Sequence, residues 1–288
     1  MNKDICTLLQ SVFGQKVQIQ YGSPVAGGCI NQTSVLKLSN GEQVFLKQNT
    51  RPPIDFFAVE AKGLKLLAQA VGGPTIPQPL AWQDSSLILE YIEQSIPGSD
   101  FSVDFARSLA NLHKVSQVNF GLDHDNYIGS TLQKNVPTGN GLDFFRDHRL
   151  QVQQELARKT GKLPLSIDKR LSKLCDQLDR YLDISGEKPA LLHGDLWSGN
   201  HFASRDQMPC IFDPAIYFGL READLAMTQL FGRLPQIFYE AYQEAFPLNP
   251  GYEERKDIYN LYHLLNHLNL FGDSYLARVE QVVRRYIG

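Results

Sequence analysis

Asp195, Asn200 and Asp213 stand at a spacing suited to moving a phosphoryl group. The first two lie in Leu191-Leu192-His193-Gly194-Asp195-Leu196-Trp197-Ser198-Gly199-Asn200. The third ends the apolar run Ile211-Phe212 and is followed by Pro214-Ala215. Phosphoryl transfer needs placement and charge neutralisation more than covalent chemistry. A carboxylate has to accept the proton of the attacking hydroxyl, and hard oxygens have to hold Mg²⁺ on the phosphates. Asp195 suits the first task, Asn200 and Asp213 the second. Both segments are strand-like runs ending in polar residues, so the three side chains can converge at strand ends. A lone loop Asp has a plainer reading as a cap or turn; the combination carries the signal.

The remaining parts of such a site occur at sensible distances. Lys47, in Val44-Phe45-Leu46-Lys47, is placed like the strand-borne Lys with which protein kinases contact the α and β phosphates. Glu60 follows on an expected helix and would hold the Lys47 ammonium in place; by themselves the two read as surface residues. Between the first two strands, Gly22 to Asn31 contains Gly27 and Gly28, whose backbone can approach phosphates. That stretch is neither a Walker A sequence nor a GxGxxG, and alone it reads as a hairpin turn. Its position ahead of Lys47 favours a phosphate cover. Glu90, Tyr91 and Ile92 fall where the chain would pass between two lobes, and there backbone groups would bind the adenine edge. His193 reads as a structural partner of the loop. His263 and His267, four apart on a helix with no third ligand, read as core or interface residues.

The elements that must position these groups change character along the chain. A short amphipathic helix is expected over 4–14, then strands over 17–21, 33–38 and 43–48. Asn40-Gly41 is the hairpin signal between the last two. A helix is expected over 54–70, a break over 72–79, and a buried strand over 87–92. Helices follow over 102–117, 143–158 and 166–182, then short strands over 190–193 and 209–213. Helices over 222–231, 235–245 and 253–286 complete the chain. The expected fold class is α+β and bilobal: residues 1–92 a strand-rich lobe, residues 93–288 a mainly helical one, hinged near 92–99.

Composition narrows the partners. A chain of 288 residues, 43% hydrophobic and with a net charge of −3, has no basic stripe for nucleic acid. It has no apolar run long enough for a membrane span and no signal-peptide core. Cys6, Cys29, Cys175 and Cys210 form no CxxC pair, so a zinc site or disulfide framework is not expected, and a reducing cytoplasm is. Cys29 sits in the Gly-rich loop. Its plain reading is inert; the sharper one is that its oxidation, or a disulfide to another subunit, gates ATP access, making the protein a monomer or a redox-linked homodimer.

The chain resembles the fructosamine kinase (ketosamine kinase) family, among the protein-kinase-like phosphotransferases that include aminoglycoside and choline kinases. The resemblance runs from Gly27-Gly28-Cys29-Ile30-Asn31 to the last helix. It rests on His193 to Asn200, Asp213-Pro214-Ala215, Arg221-Glu222-Ala223-Asp224-Leu225-Ala226-Met227 and Asp125-Asn126-Tyr127-Ile128-Gly129. Trp197, after Asp-Leu, distinguishes this family from its aminoglycoside relatives. The resemblance implies ATP and Mg²⁺ as cofactors, Asp195 as proton acceptor, Asn200 and Asp213 on Mg²⁺, and Lys47 with Glu60 on the phosphates. It implies phosphorylation of ketosamines, free or on glycated protein lysines, at the sugar 3-hydroxyl, which destabilises the adduct and deglycates the amine. Trp197 would stack on the sugar.

Gly194 replaces the Arg of a protein kinase HRD, Pro214-Ala215 replaces Phe-Gly, and no Ala-Pro-Glu follows. These departures favour a constitutively competent small-molecule kinase. Gly141, where members often carry Trp, and Arg233, where Gly is usual, bear on the preferred sugar. The alternatives are a related aminoglycoside or amino-alcohol phosphotransferase, separable by an acceptor screen, and a nucleotide-binding pseudokinase, which would bind ATP without turnover.

Overall fold

The computed structural model describes residues 3–25 and 30–288, so Gly27, Gly28 and Cys29 lie outside the described residues. The N-terminal part runs α1 (Lys3–Phe13), β1 (Ile19–Val25), β2 (Gln32–Leu38), β3 (Gln43–Gln48), α2 (Phe56–Leu67), β4 (Pro79–Gln83) and β5 (Ser86–Glu90). The five strands form an antiparallel sheet in the order β1-β2-β3-β5-β4. The β2–β3 turn is closed by Asn40, whose side chain accepts from Glu42 N at 3.1 Å, and by Gly41 at φ 92°, a left-handed conformation that glycine takes freely.

Strand alternation decides which way Lys47 faces. Val44 and Leu46 join Leu36, Leu38 and Ile88 under α1, through Ile5 and Leu9. Residues of the opposite parity, Phe45 and Lys47, therefore face α2, beside Leu87 and Leu89. On α2, Phe57, Ala61, Leu64 and Leu67 are buried at helical spacing, and Glu60 lies on that inward side.

Beyond Glu90 the chain forms β6 (Gln94–Ser95), α3 (Phe101–His113), β7 (Asn126–Ile128), β8 (Thr131–Gln133) and α4 (Gly141–Phe145). A π-helical turn (Arg146–Leu150) joins α4 to α5 (Gln151–Lys159), and α6 (Leu165–Cys175) follows. Then come β9 (Ala190–Leu192), β10 (His201–Ser204), β11 (Pro209–Ile211), β12 (Tyr217–Gly219), α7 (Glu222–Leu230), α8 (Gln236–Ala245), α9 (Tyr252–Phe271) and α10 (Leu276–Ile287). β9 pairs with β12, and β10 pairs with both β11 and β6. The loop 193–200 leaves β9, and the segment 212–216 joins β11 to β12. Helix α9, buried over most of its length, packs against α7 and brings His263 near Asp195.

The structure departs from the sequence expectations at several elements. The strand expected over 87–92 ends at Glu90, and β4 is an addition, because an edge strand opening on Pro79 after a Gly/Pro-rich stretch resembles loop. The hairpin β7–β8 and strands β10 and β12 are too short, at three or four residues, to show a period. The helix expected over 166–182 stops at Cys175. The one expected over 253–286 breaks at Gly272, φ 96°, into α9 and α10. Among the described residues no helix is long and apolar enough to cross a membrane.

Candidate active site

The loop carrying Asp195 is tied down by a carboxylate behind it. Asp224, on α7, accepts from His193 N at 2.7 Å and Gly194 N at 2.8 Å, and meets His113 Nε2 at 3.2 Å. Burial would raise its pKa, but His113 and the backbone N–H of Gly194 overcome this and hold it below the usual carboxylate range. His193 bonds Phe212 O through Nε2 at 2.9 Å, and its Nδ1 accepts from Asp195 N at 3.2 Å. His193 O accepts from Ala215 N at 2.9 Å, so the Asp195 and Asp213 segments are joined directly. Gly194 has φ 81°, and a Cβ there would stand 2.0 Å from Ala215 O. A larger residue cannot occupy that position, which gives a steric reason for the missing Arg.

The segment after Asp213 is held by a second buried network. Asn126 donates to Ile216 O at 2.8 Å and Gln133 to Ala215 O at 3.0 Å. Gln133 and Asn135 both donate to Asn126 Oδ1, Tyr262 donates to Gln133 Oε1 at 2.6 Å, and Arg149 donates to Asn135 Oδ1 at 2.7 Å. Arg149, fully buried, also lies 3.8 Å over the Tyr217 ring. A segment that protein kinases order by phosphorylation is here fixed by neutral amides.

Lys47 bridges the two parts of the molecule. Its Nζ lies 2.5 Å from Glu60 Oε1 and 2.5 Å from Asp213 Oδ1. Burial alone would lower the Lys47 pKa; Asp213 and Glu60 more than reverse that. Burial raises Glu60, and the nearby Asp213 adds to this against the pull of Lys47. Partial burial would raise Asp213, but Lys47 holds it low, and its side chain is 47% exposed. Its φ of 59° is unusual for a non-glycine residue, though Asp tolerates it. Asp195, 23% exposed, is pushed up to about 8 by burial and by the charges of Asp213 and Asp224.

Asn200 donates Nδ2 to Asp195 O at 2.8 Å, and to Asp195 Oδ2 at a longer 3.4 Å. With Nδ2 so engaged, its amide oxygen is the atom left for a cation. That oxygen and the open carboxylate of Asp213 are hard donors, a set that fits Mg²⁺ completed by phosphate and water.

Lys47, Glu60, Asp195, Asn200, Asp213 and Trp197 all line one cavity of about 380 Å³. Phe231, Asn266, His267, Leu270, Phe271 and Tyr275 also line it, as do Tyr127 to Gly129. Trp197 folds back on its own loop: a Cβ on Gly199 would meet the indole at 2.3 Å. Glu90, Tyr91 and Ile92 do not line this cavity. Glu90 ends β5 and Tyr91 and Ile92 follow it; Gln78 N reaches Glu90 Oε2 at 3.3 Å. Gly141 packs on Phe120 and Leu220, and Arg233 stacks on Tyr239; neither lines the cavity, so these departures do not touch its wall. Sequence reasoning gave no role to Asp224, Asn126, Asn266 or the cavity face of His267. The stretches containing Asp224 and Asn126 did stand out; only the contacts assign them work.

A mixed sheet-and-helix chain with this Lys–Glu pair and these two loops has the protein-kinase-like phosphotransferase fold. A thermostable mutant of an aminoglycoside phosphotransferase shares it, with a TM-score of 0.63 at 15% identity over 98% of this chain and 99% of that one. The chain belongs to the fructosamine kinase family, whose model matches residues 1–288. It is 39% identical to a "probable ketoamine kinase" of Synechocystis sp. over 98% of this chain and 95% of that protein. It is 36% identical to a chloroplastic protein-ribulosamine 3-kinase of Oryza sativa subsp. indica over 95% and 81%. The crystal structure of a "putative fructosamine-3-kinase" from Thermobifida fusca superposes with a TM-score of 0.88 at 29% identity, covering 99% and 98% of the two chains.

Proposed function

We propose that this protein is an ATP- and Mg²⁺-dependent kinase that phosphorylates the sugar 3-hydroxyl of ketosamines, free or on glycated lysines, and so promotes deglycation. The observation that carries the reading is that one cavity is lined both by Lys47, Glu60, Asp195, Asn200 and Asp213 and by the aromatic residues Trp197, Phe231, Phe271 and Tyr275. Lys47, oriented by Glu60, grips the nucleotide phosphates, and the backbone of Glu90 to Ile92 receives the adenine edge. Asn200 and Asp213 would hold Mg²⁺, which when bound neutralises phosphate charge. Asp195 takes the proton of the sugar hydroxyl as its oxygen bonds to the γ-phosphorus and ADP leaves. Trp197 supplies a face for the sugar. The lobes divide near residue 92, and the free thiols of Cys6, Cys175 and Cys210 suit a reducing cytoplasm.

The test is ADP release with Mg·ATP and lysine adducts of ribulose, erythrulose and fructose. Turnover on at least one adduct is expected, with Asp195→Asn lowering kcat by roughly 10²–10⁴-fold while ATP still binds. ATP binding without turnover on any adduct would point to another acceptor or to a pseudokinase.

A further inference from the structure

His263 is not one of the residues lining the cavity, yet it lies against the group that works there. The side chain, on α9, is 2% exposed, and its Nδ1 is buried with no hydrogen-bond partner. Such an atom is costly to leave unmatched. Its nearest carboxylate oxygen is Asp195 Oδ1, at 3.9 Å. The other carboxylate oxygen, Oδ2, faces Asn200 Nδ2 at 3.4 Å. One oxygen of the Asp195 carboxylate thus has a long hydrogen bond from Asn200, and the other faces His263 Nδ1 beyond hydrogen-bond distance. Catalytic hydrogen bonds are often long in a free enzyme and tighten when substrate arrives.

We propose that His263 is a positioning residue for Asp195, donating Nδ1–H to Oδ1 in the working complex and so fixing which oxygen faces the sugar hydroxyl. The inference rests on the reading of Asp195 as proton acceptor. Burial and the neighbouring His267 push the imidazole down to about 3, so the ring is neutral and offers one N–H without adding charge. The helix end of the arrangement is anchored, since His267 Nδ1 bonds His263 O at 2.8 Å and Tyr262, the preceding residue, holds Gln133. His263 therefore acts from behind the carboxylate, on the side away from substrate.

The test compares wild type, His263→Leu, His263→Asn, His263→Gln, Asp195→Asn and the double variant Asp195→Asn/His263→Leu, using Mg·ATP and a ribulose–lysine adduct. Leu should lower kcat by about tenfold with both KM values within about twofold, as expected for a group acting on the carboxylate alone. Asn places a donor where Nδ1 is and should restore kcat to within about threefold of wild type; Gln places it near Nε2 and should not. In the Asp195→Asn background, adding Leu should change nothing further, because the partner is already altered. Equal losses in Asn and Gln, or an undiminished loss from Leu in the Asp195→Asn background, would assign His263 to packing and overturn the proposal. If Leu does not fold, the Asn–Gln pair decides. Near-normal turnover by Asp195→Asn would instead remove the base assignment itself, a result distinguishable from failure of the His263 role alone.

Discussion

Glu60 and Asp224 are both buried carboxylates facing nitrogen donors, yet their proton affinities move in opposite directions. Glu60 is raised and Asp224 lowered. The difference lies in how many donors each owns. Glu60 shares one ammonium with Asp213, whose own charge works against it. Asp224 receives two backbone N–H groups and faces His113. The clamp behind the loop is saturated and can stay as it is throughout a cycle. The Lys47 cluster is left under-compensated, which agrees with the phosphate role proposed for it.

The same chemical change, carboxylate to amide, should separate the two regions. Asp224→Asn turns an NH₂ group toward an N–H donor, so unfolding free energy at neutral pH should fall by about 2–4 kcal/mol, with turnover lost as the loop is released. The sign with pH follows from the lowered pKa. Asp224 stabilises the fold above the ordinary carboxylate range, and that contribution disappears as pH falls through its folded value. The deficit of Asp224→Asn in urea titrations should therefore shrink on acidification. A deficit independent of pH would mean that shape, not charge, fixes the loop.

Glu60→Gln should do the opposite. Its carboxylate is disfavoured in the fold, so a neutral amide should leave stability unchanged or raise it by up to about 1 kcal/mol. Any gain should appear as pH rises above the ordinary Glu range and vanish below it. Turnover should suffer nonetheless, with kcat/KM for ATP down roughly 10–100-fold as Lys47 loses its tether. A loss of stability as large as that of Asp224→Asn would break the contrast. The smallest effect is expected at Trp197: Trp197→Ala should lower kcat/KM for the ketosamine by about tenfold and leave the KM for ATP unchanged. Equal effects on both substrates would mean that the indole props the loop rather than facing the sugar.

Much of the charged lining is legible in the sequence. Asp195, Asn200, Asp213, Lys47 and Glu60 announce themselves by type and spacing, and the structure brings all five to one cavity. The aromatic lining is not legible in that way. Phe231, His267, Phe271 and Tyr275 sit in or beside helical stretches whose apolar periodicity looks the same whether a face meets core or cavity. His263 and His267, four apart, read alike in the sequence; one is sealed behind Asp195 and the other lines the cavity. Short strands such as β12 escape because three residues carry no period.

By itself the sequence determined the family and singled out the residues proposed for the chemistry, because those signals are local: a spacing, a hairpin turn, an alternation that turns Lys47 away from α1. Only the tertiary structure decided what holds them. Asp224 meets Gly194 across 30 positions, Gln133 meets Ala215 across 82 and Asn126 meets Ile216 across 90. Buried polar groups take whichever partner the packed chain delivers to them, and a linear pattern does not encode that partner until the helices and strands have closed around it.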